Sequence, residues 1–171
     1  MRNRLFNSCM DQSNWPLLKR LLEGELLAIT ESYFNSFKAS GIVAVSLVSR
    51  SEIFKLNQKY RKRARATDIL SFPSTLSRSE HLNSVKEAYL NDLIYKRKQN
   101  ISIQLGHLIL CPEILKRRLT GPSFSSWTLK YRIQRLLIHG FAHLCNLDHH
   151  HTREQVEEML KFEKEMILKL N

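Results

Sequence analysis

Five of the seven histidines of this chain fall between His139 and His151, and their spacing constrains the fold more than any other feature. His139 and His143 are four residues apart, so on a helix their rings project from one face about a turn apart and reach one ion together. The helix must then stop for a third ring to swing back. Asn146 is placed to stop it, because Asn tolerates the left-handed conformation better than any residue except Gly. His149 follows three residues later. The resulting H-x₃-H-x₅-H supplies three neutral nitrogen ligands and leaves the fourth tetrahedral position open, the mark of a catalytic zinc-type site with one ion per chain. His150 and His151 compete for the third place, and spacing leaves that choice open. Cys145 lies about 200° round the helix from His143, toward the core rather than the ion. Asp148 is the candidate for orienting a ligand from behind. An isolated histidine reads as an ordinary core or surface ring; three at this spacing around a helix-breaking Asn read as ligands.

The same spacing serves peptidases of the H-E-x-x-H-x-x-G-x-x-H type, in which the Glu after the first His is the general base. Here that position is Gly140, which takes no proton, and this counts against a metallopeptidase.

The rest of the chain supplies one compact domain, residues 1–171, with 43% apolar residues, four prolines and five glycines. Arg2–Ser8 reads as a short edge strand. A helix capped by Ser13 or Asn14, with Pro16 in its first turn, runs to about Phe37. The β-branched run Ile42–Val48 reads as a buried strand. Ser51 caps a short helix to Tyr60 or Arg61, and Asp68–Phe72 is a strand stopped by Pro73. Residues 74–100 form an insertion or lid with a polar helix from Leu82 to Arg97. Ile101–Leu110 is a further strand, and Pro112 starts a helix ending before Gly121-Pro122. A longer helix capped by Ser125 or Ser126 reaches about Cys145, and Thr152 begins a last amphipathic helix. Strands and helices mix without a regular βαβ repeat, so the class is α+β. It predicts a small mixed sheet packed with helices, with the metal site on a helix-turn segment near the C-terminus.

The longest apolar stretch, Gly41–Val48, is too short to span a bilayer, and Met1–Gly24 lacks the apolar core of a secretory signal. Cys9, Cys111 and Cys145 are odd in number and form no C-x-x-C pair, as expected of reduced thiols. These features predict a soluble cytoplasmic protein without a membrane partner.

Charge narrows the partner. Lys and Arg number 27 against 16 acidic residues, a net of +11. From Thr152 onward four basic residues face five acidic ones, so residues 1–151 hold the whole excess. Such a field favours polyanions, nucleic acid before acidic lipid. The densest run spans Lys59–Arg65, and Lys59, Lys62, Arg63 and Arg65 are its candidate phosphate contacts. Arg132 and Arg135 precede His139 on much the same helix face and could extend the track. Arg61 leads the run just before a strand, where a guanidinium can grip a phosphate bidentately.

With these residues in place, the sequence resembles the YbeY family of bacterial endoribonucleases, also described as ribosomal RNA maturation factors. The family pattern H-G-x-L-H-L-x-G-Y-D-H stands here as His139 to His149. The family blocks L-N-x-x-Y-R and T-D-V-L-S-F-P stand as Leu56-Asn57-Gln58-Lys59-Tyr60-Arg61 and Thr67-Asp68-Ile69-Leu70-Ser71-Phe72-Pro73. A late Met-x-x-x-Glu matches Met159 and Glu163. Ala142, Asn146 and Leu147 depart from the pattern, Gly106-His107 replaces the usual Gly-Asp, and residues 74–104 make a longer segment, as in a divergent member. The resemblance implies a zinc-bearing α+β domain that cleaves single-stranded RNA in ribosomal RNA processing, ribosome maturation and quality control. Its partners would be ribosomal RNA or ribosomal particles, with no small-molecule cofactor, and its functional arginine falls on Arg61. The rival from another class is a non-catalytic RNA- or ribosome-binding factor with structural zinc.

Overall fold

The computed structural model describes residues 6–8, 16–35, 41–74, 103–120, 128–148 and 152–170. The expected lid helix over 82–97, Cys9, and His149 to His151 lie outside the described residues.

Four strands form one mixed sheet. They are β1 (Phe6–Ser8), β2 (Gly41–Leu47), β3 (Ile69–Pro73) and β4 (Ile103–Leu110), in the spatial order β1-β2-β4-β3. β1 and β4 run parallel to β2, whereas β3 pairs antiparallel with β4. Helix α1 (Pro16–Asn35) makes the crossover that two adjacent parallel strands require. Helices α2 (Arg50–Arg61), α3 (Pro112–Thr120), α4 (Leu129–Leu144) and α5 (Arg153–Leu170) are the other helices among the described residues.

The sheet is covered on both faces. Against one face α1, α4 and α5 build the main core, in which Leu22, Ile29, Leu108, Leu137, Ile138 and Phe141 are fully buried. Against the other, α2 sets Ile53 on Leu70 and Ile109, with Val48 and Cys111 beside them. Burial of this apolar surface is the main driving force for assembling the layers.

β4 reaches both cores through a bulge. Ile42 faces Gln104 but Val43 faces Gly106, so Leu105 has no partner on β2. Ile103 and Leu105 then share the main core with Leu108 and Leu110. The change from odd to even positions turns His107 and Ile109 to the α2 face. Gly106 absorbs the irregularity at φ +147°, and a Cβ there would stand 2.3 Å from the Phe72 carbonyl oxygen, so only glycine fits.

Several boundaries differ from the sequence expectation. The N-cap of α2 is Ser49, not Ser51: its Oγ accepts from the Glu52 N–H at 3.2 Å, and its own N–H donates to Glu52 Oε2 at 2.8 Å. That is a capping box, and it draws the Glu52 pKa down chiefly through the Ser49 hydroxyl. Thr128, not Ser125 or Ser126, caps α4, its Oγ1 accepting from the Tyr131 N–H. The strand expected at Asp68–Phe72 runs Ile69–Pro73, since the Asp68 carboxylate turns back onto the Ile69 N–H. Thr152 caps α5 as expected, in a reciprocal pair with Gln155: Thr152 Oγ1 accepts from the Gln155 N–H and Gln155 Oε1 from the Thr152 N–H.

Candidate metal and RNA site

Helix α4 lies flat on the sheet because Gly140 has no side chain. A Cβ at that position would meet Ile69 Cδ1 at 2.5 Å, Leu108 Cδ2 at 3.2 Å and Ser71 Oγ at 3.3 Å. With Gly140 on the sheet, His139 and His143 emerge together from another side of the helix. Their rings lie edge to face with centroids 4.9 Å apart, and both side chains are half-buried. The position that a zinc peptidase gives to its catalytic glutamate is therefore occupied here by strands β3 and β4.

The helix ends as Asn146 requires. The Leu147 N–H donates to the Ala142 carbonyl at 3.0 Å and the Asn146 N–H to the His143 carbonyl at 3.1 Å, with Asn146 left-handed at φ 61°. These paired bonds are a Schellman motif, and they satisfy carbonyls that the helix end would otherwise leave open. The chain thus reverses within a few residues of His143 and leads through half-buried Asp148 toward His149. Among the described residues no three metal-ligating side chains converge; His149 lies beyond them.

Sequence reasoning did not assign Glu163 a role. This half-buried α5 carboxylate accepts from His139 Nδ1 at 2.8 Å. With the proton on Nδ1, the lone pair of Nε2 is left facing away from α5. A carboxylate behind an imidazole is the usual arrangement for a histidine that binds metal. Two imidazoles on one side of a helix, one of them backed by a carboxylate, are donor chemistry that fits a borderline cation such as zinc. The late Met-x-x-x-Glu echo was the sequence signal: Met159 is buried in the fold one turn before Glu163.

Cys145 packs against the main core, and burial pushes its thiol up to about 12, opposed by a hydrogen bond with Tyr33. At that value the thiol stays protonated near neutral pH. His107 is on the opposite face from the histidine pair, its Nε2 2.9 Å from Ser46 Oγ, and burial lowers its pKa.

Arg61 is the last residue of α2 and is exposed. The register places it relative to the histidines. α2 starts beside the Leu110 end of β4 and finishes with Tyr60 against Phe72, ring centroids 5.2 Å apart. On the other face α4 passes Ile69 and Leu108 at Gly140 and reaches Gly106 at Leu144. The ends of α2 and α4 thus arrive at the same end of edge strand β3, one on each face.

The basic loop after α2 is held from below. Asn57, 2% exposed, donates from Nδ2 to the Arg65 carbonyl at 2.7 Å, and its own carbonyl accepts from the N–H groups of Lys62 and Arg63. Lys62 takes the left-handed conformation at φ 56°. Lys59, Lys62, Arg63 and Arg65 are all exposed, and the Lys59 ammonium lies 5.1 Å from the centre of the Tyr60 ring. Arg132 and Arg135 are half-buried on α4.

The family model described as endoribonuclease YbeY matches residues 12–171. The chain belongs to the YbeY family. Relatives carrying the YbeY name include one from Acinetobacter baumannii, 28% identical over 155 residues that cover 90% of this chain and 82% of that protein. Another, from Buchnera aphidicola, is 27% identical over 146 residues, covering 85% of this chain and 79% of its own. The solution structure of TM1509 from Thermotoga maritima shares the fold at a TM-score of 0.50 and 22% identity, covering 97% of this chain and 89% of that one. The YbeY match thus takes in both blocks singled out in the sequence, Leu56–Pro73 and His139–His149. None of the described helices is long and apolar enough to cross a membrane.

Proposed function

We propose that this protein is a zinc-dependent endoribonuclease that cleaves single-stranded RNA, acting in the cytoplasm in ribosomal RNA processing and ribosome maturation. The observation that carries the reading is the His139–Glu163 hydrogen bond beside the His143 ring. Membership of a family described as endoribonuclease supplies the reaction class.

His139, His143 and His149 would hold the ion, with Asp148 orienting the last of them. When bound, the ion supplies Lewis-acid stabilisation of charge on a phosphate. Glu163 keeps the His139 proton on Nδ1 and fixes its ring. Arg61 would take the charge that builds on the phosphate oxygens, by a contact that strengthens as the phosphodiester bond breaks. Lys59, Lys62, Arg63 and Arg65 would grip the backbone without reading bases, Asn57 having already ordered their loop. Arg132 and Arg135 would extend that grip along α4.

The test pairs metal analysis with RNA cleavage. Arg61→Ala should keep zinc and fold while losing about 10²–10³ in rate, the usual cost of one preorganised charge contact. His143→Ala should lose both metal and cleavage. Wild-type rates for Arg61→Ala, or a zinc-loaded wild-type protein that binds RNA and never cuts it, would replace this reading with that of an RNA- or ribosome-binding factor carrying structural zinc.

A further inference from the structure

One face of α2, from Arg50 to Gln58, carries a groove that the chemistry above shares only at Arg65. Its walls are the first turns of α2, the chain from Ala64 to Ala66 and the first turn of α3, and Arg50, Phe54, Lys55, Arg65, Glu113 and Ile114 line it. Phe54 exposes 36% of its surface, although its neighbour Ile53 is fully buried. Three cations face one carboxylate, Glu113. The nearby Glu52 is engaged in the Ser49 cap, where its Oε2 accepts from the Ser49 hydroxyl at 2.6 Å. Arg50 lies near the start of α3, where burial raises the Cys111 pKa and the Arg50 charge opposes it. The backbone of Arg65 is pinned by Asn57, so this cation is presented from an ordered loop.

We propose that this groove is a second subsite for single-stranded RNA. It holds a nucleotide remote from the scissile one, with phosphates against Arg50 and Lys55 and a base on the Phe54 ring. The inference rests on the endoribonuclease reading and deepens it. A flat exposed aromatic between spaced cations matches a polyanion that carries a base on each unit. An acidic peptide would use the cations and leave Phe54 in water. Eleven residues of helix at 1.5 Å rise separate Arg50 from Arg61, about 16 Å. A dinucleotide held at Arg61 therefore does not reach Arg50, and a longer RNA does.

The test uses the full zinc-loaded chain and fluorescence anisotropy with a 5′-labelled uridylate dinucleotide and a 5′-labelled oligouridylate of about 12 nucleotides, the latter within the range of common single-strand site sizes. Cleavage of the shorter one is followed in parallel. Arg50→Ala/Lys55→Ala should weaken binding of the longer oligomer about tenfold and reduce its log–log salt slope by about 1.4, two contacts at about 0.7 each. Affinity for the shorter oligomer and its cleavage should be unchanged. Phe54→Leu should weaken only the longer oligomer, and Phe54→Trp should restore it.

Wild-type affinity of these variants for the longer oligomer overturns the subsite while leaving the nuclease reading intact. So does an equal loss for both lengths, which would place the residues at the cleavage end or in the fold. Displacement of the longer oligomer by oligoglutamate, sensitive to the same substitutions, would make the groove a peptide site instead. A wild-type protein that binds and cleaves neither oligomer removes the nuclease reading itself.

Discussion

His139 on α4 and Glu163 on α5 meet at 2.8 Å, ring nitrogen to carboxylate, although 24 positions separate them in the chain. The contact makes the docking of α5 part of the proposed metal site. Losing such a carboxylate typically lowers metal affinity 10–100-fold. Glu163→Ala should show that loss in a competition titration against a chromophoric chelator, with thermal unfolding still cooperative. Glu163→Gln, which keeps an acceptor but no charge, should fall between. Unchanged zinc affinity in both would mean that His139 is not a donor.

Asn57 offers a test of loop order separate from loop charge. Asn57→Ala removes the hold on Arg65 without changing any charge, and should weaken single-stranded RNA binding several-fold. It should also cost about 1–3 kcal/mol of stability, since the Arg65 carbonyl loses its donor. Asn57→Asp, which cannot donate to the Arg65 carbonyl, should bind RNA no better than Asn57→Ala. Wild-type RNA affinity in both variants would show that the loop needs no anchor.

At Gly106, Ala adds a Cβ where the Phe72 carbonyl oxygen stands 2.3 Å away and the backbone is held at φ +147°. Strain and overpacking together should cost roughly 2–5 kcal/mol, read from the urea midpoint at unchanged m-value. A loss below about 0.5 kcal/mol, the range of an ordinary surface substitution, would mean that the bulge relaxes freely.

His107 predicts a pH effect of defined sign. Burial lowers its pKa in the fold, so the folded state favours the neutral ring. Its contribution is therefore complete above the unfolded value of about 6.5 and declines as pH falls from there toward the lowered folded value. His107→Asn, which keeps a polar partner for Ser46 without titrating, should lose less stability than wild type between about pH 7 and pH 5 in paired urea titrations. Parallel pH curves for the two proteins would refute the assignment.

The parts of the site legible in the sequence were those fixed by local chemistry. Asn146 reads as a left-handed stop because few side chains tolerate that conformation, and it adopts φ 61°. The pairing of His139 with His143 follows from helical spacing alone. At α2 the choice between Ser49 and Ser51 was also legible, since only Ser49 has a Glu three residues on; that reciprocal box outweighs proximity to the apolar positions. Tertiary features were not legible in this way. The bulge opposite Ile42 and Val43 hides within a β4 sequence apolar on both faces, so simple alternation misplaces His107. Glu163 meets His139 only after two helices dock, which no local pattern encodes.

Gly140 carries an evolutionary consequence. The same eleven-residue spacing of three histidines serves hydrolysis of peptide bonds when a glutamate follows the first histidine; positions 140 and 146 separate the two patterns on paper, and glutamate for Gly140 is the substitution that would supply the base. In this fold the substitution is blocked by Ile69, Ser71 and Leu108, which already occupy the space around position 140. Acquiring that glutamate would require smaller residues on two strands first, and each such step would leave a void before any new activity repaid it. The flat seating of one helix on one sheet thus places a barren stretch of sequence space between two chemistries that share a ligand spacing.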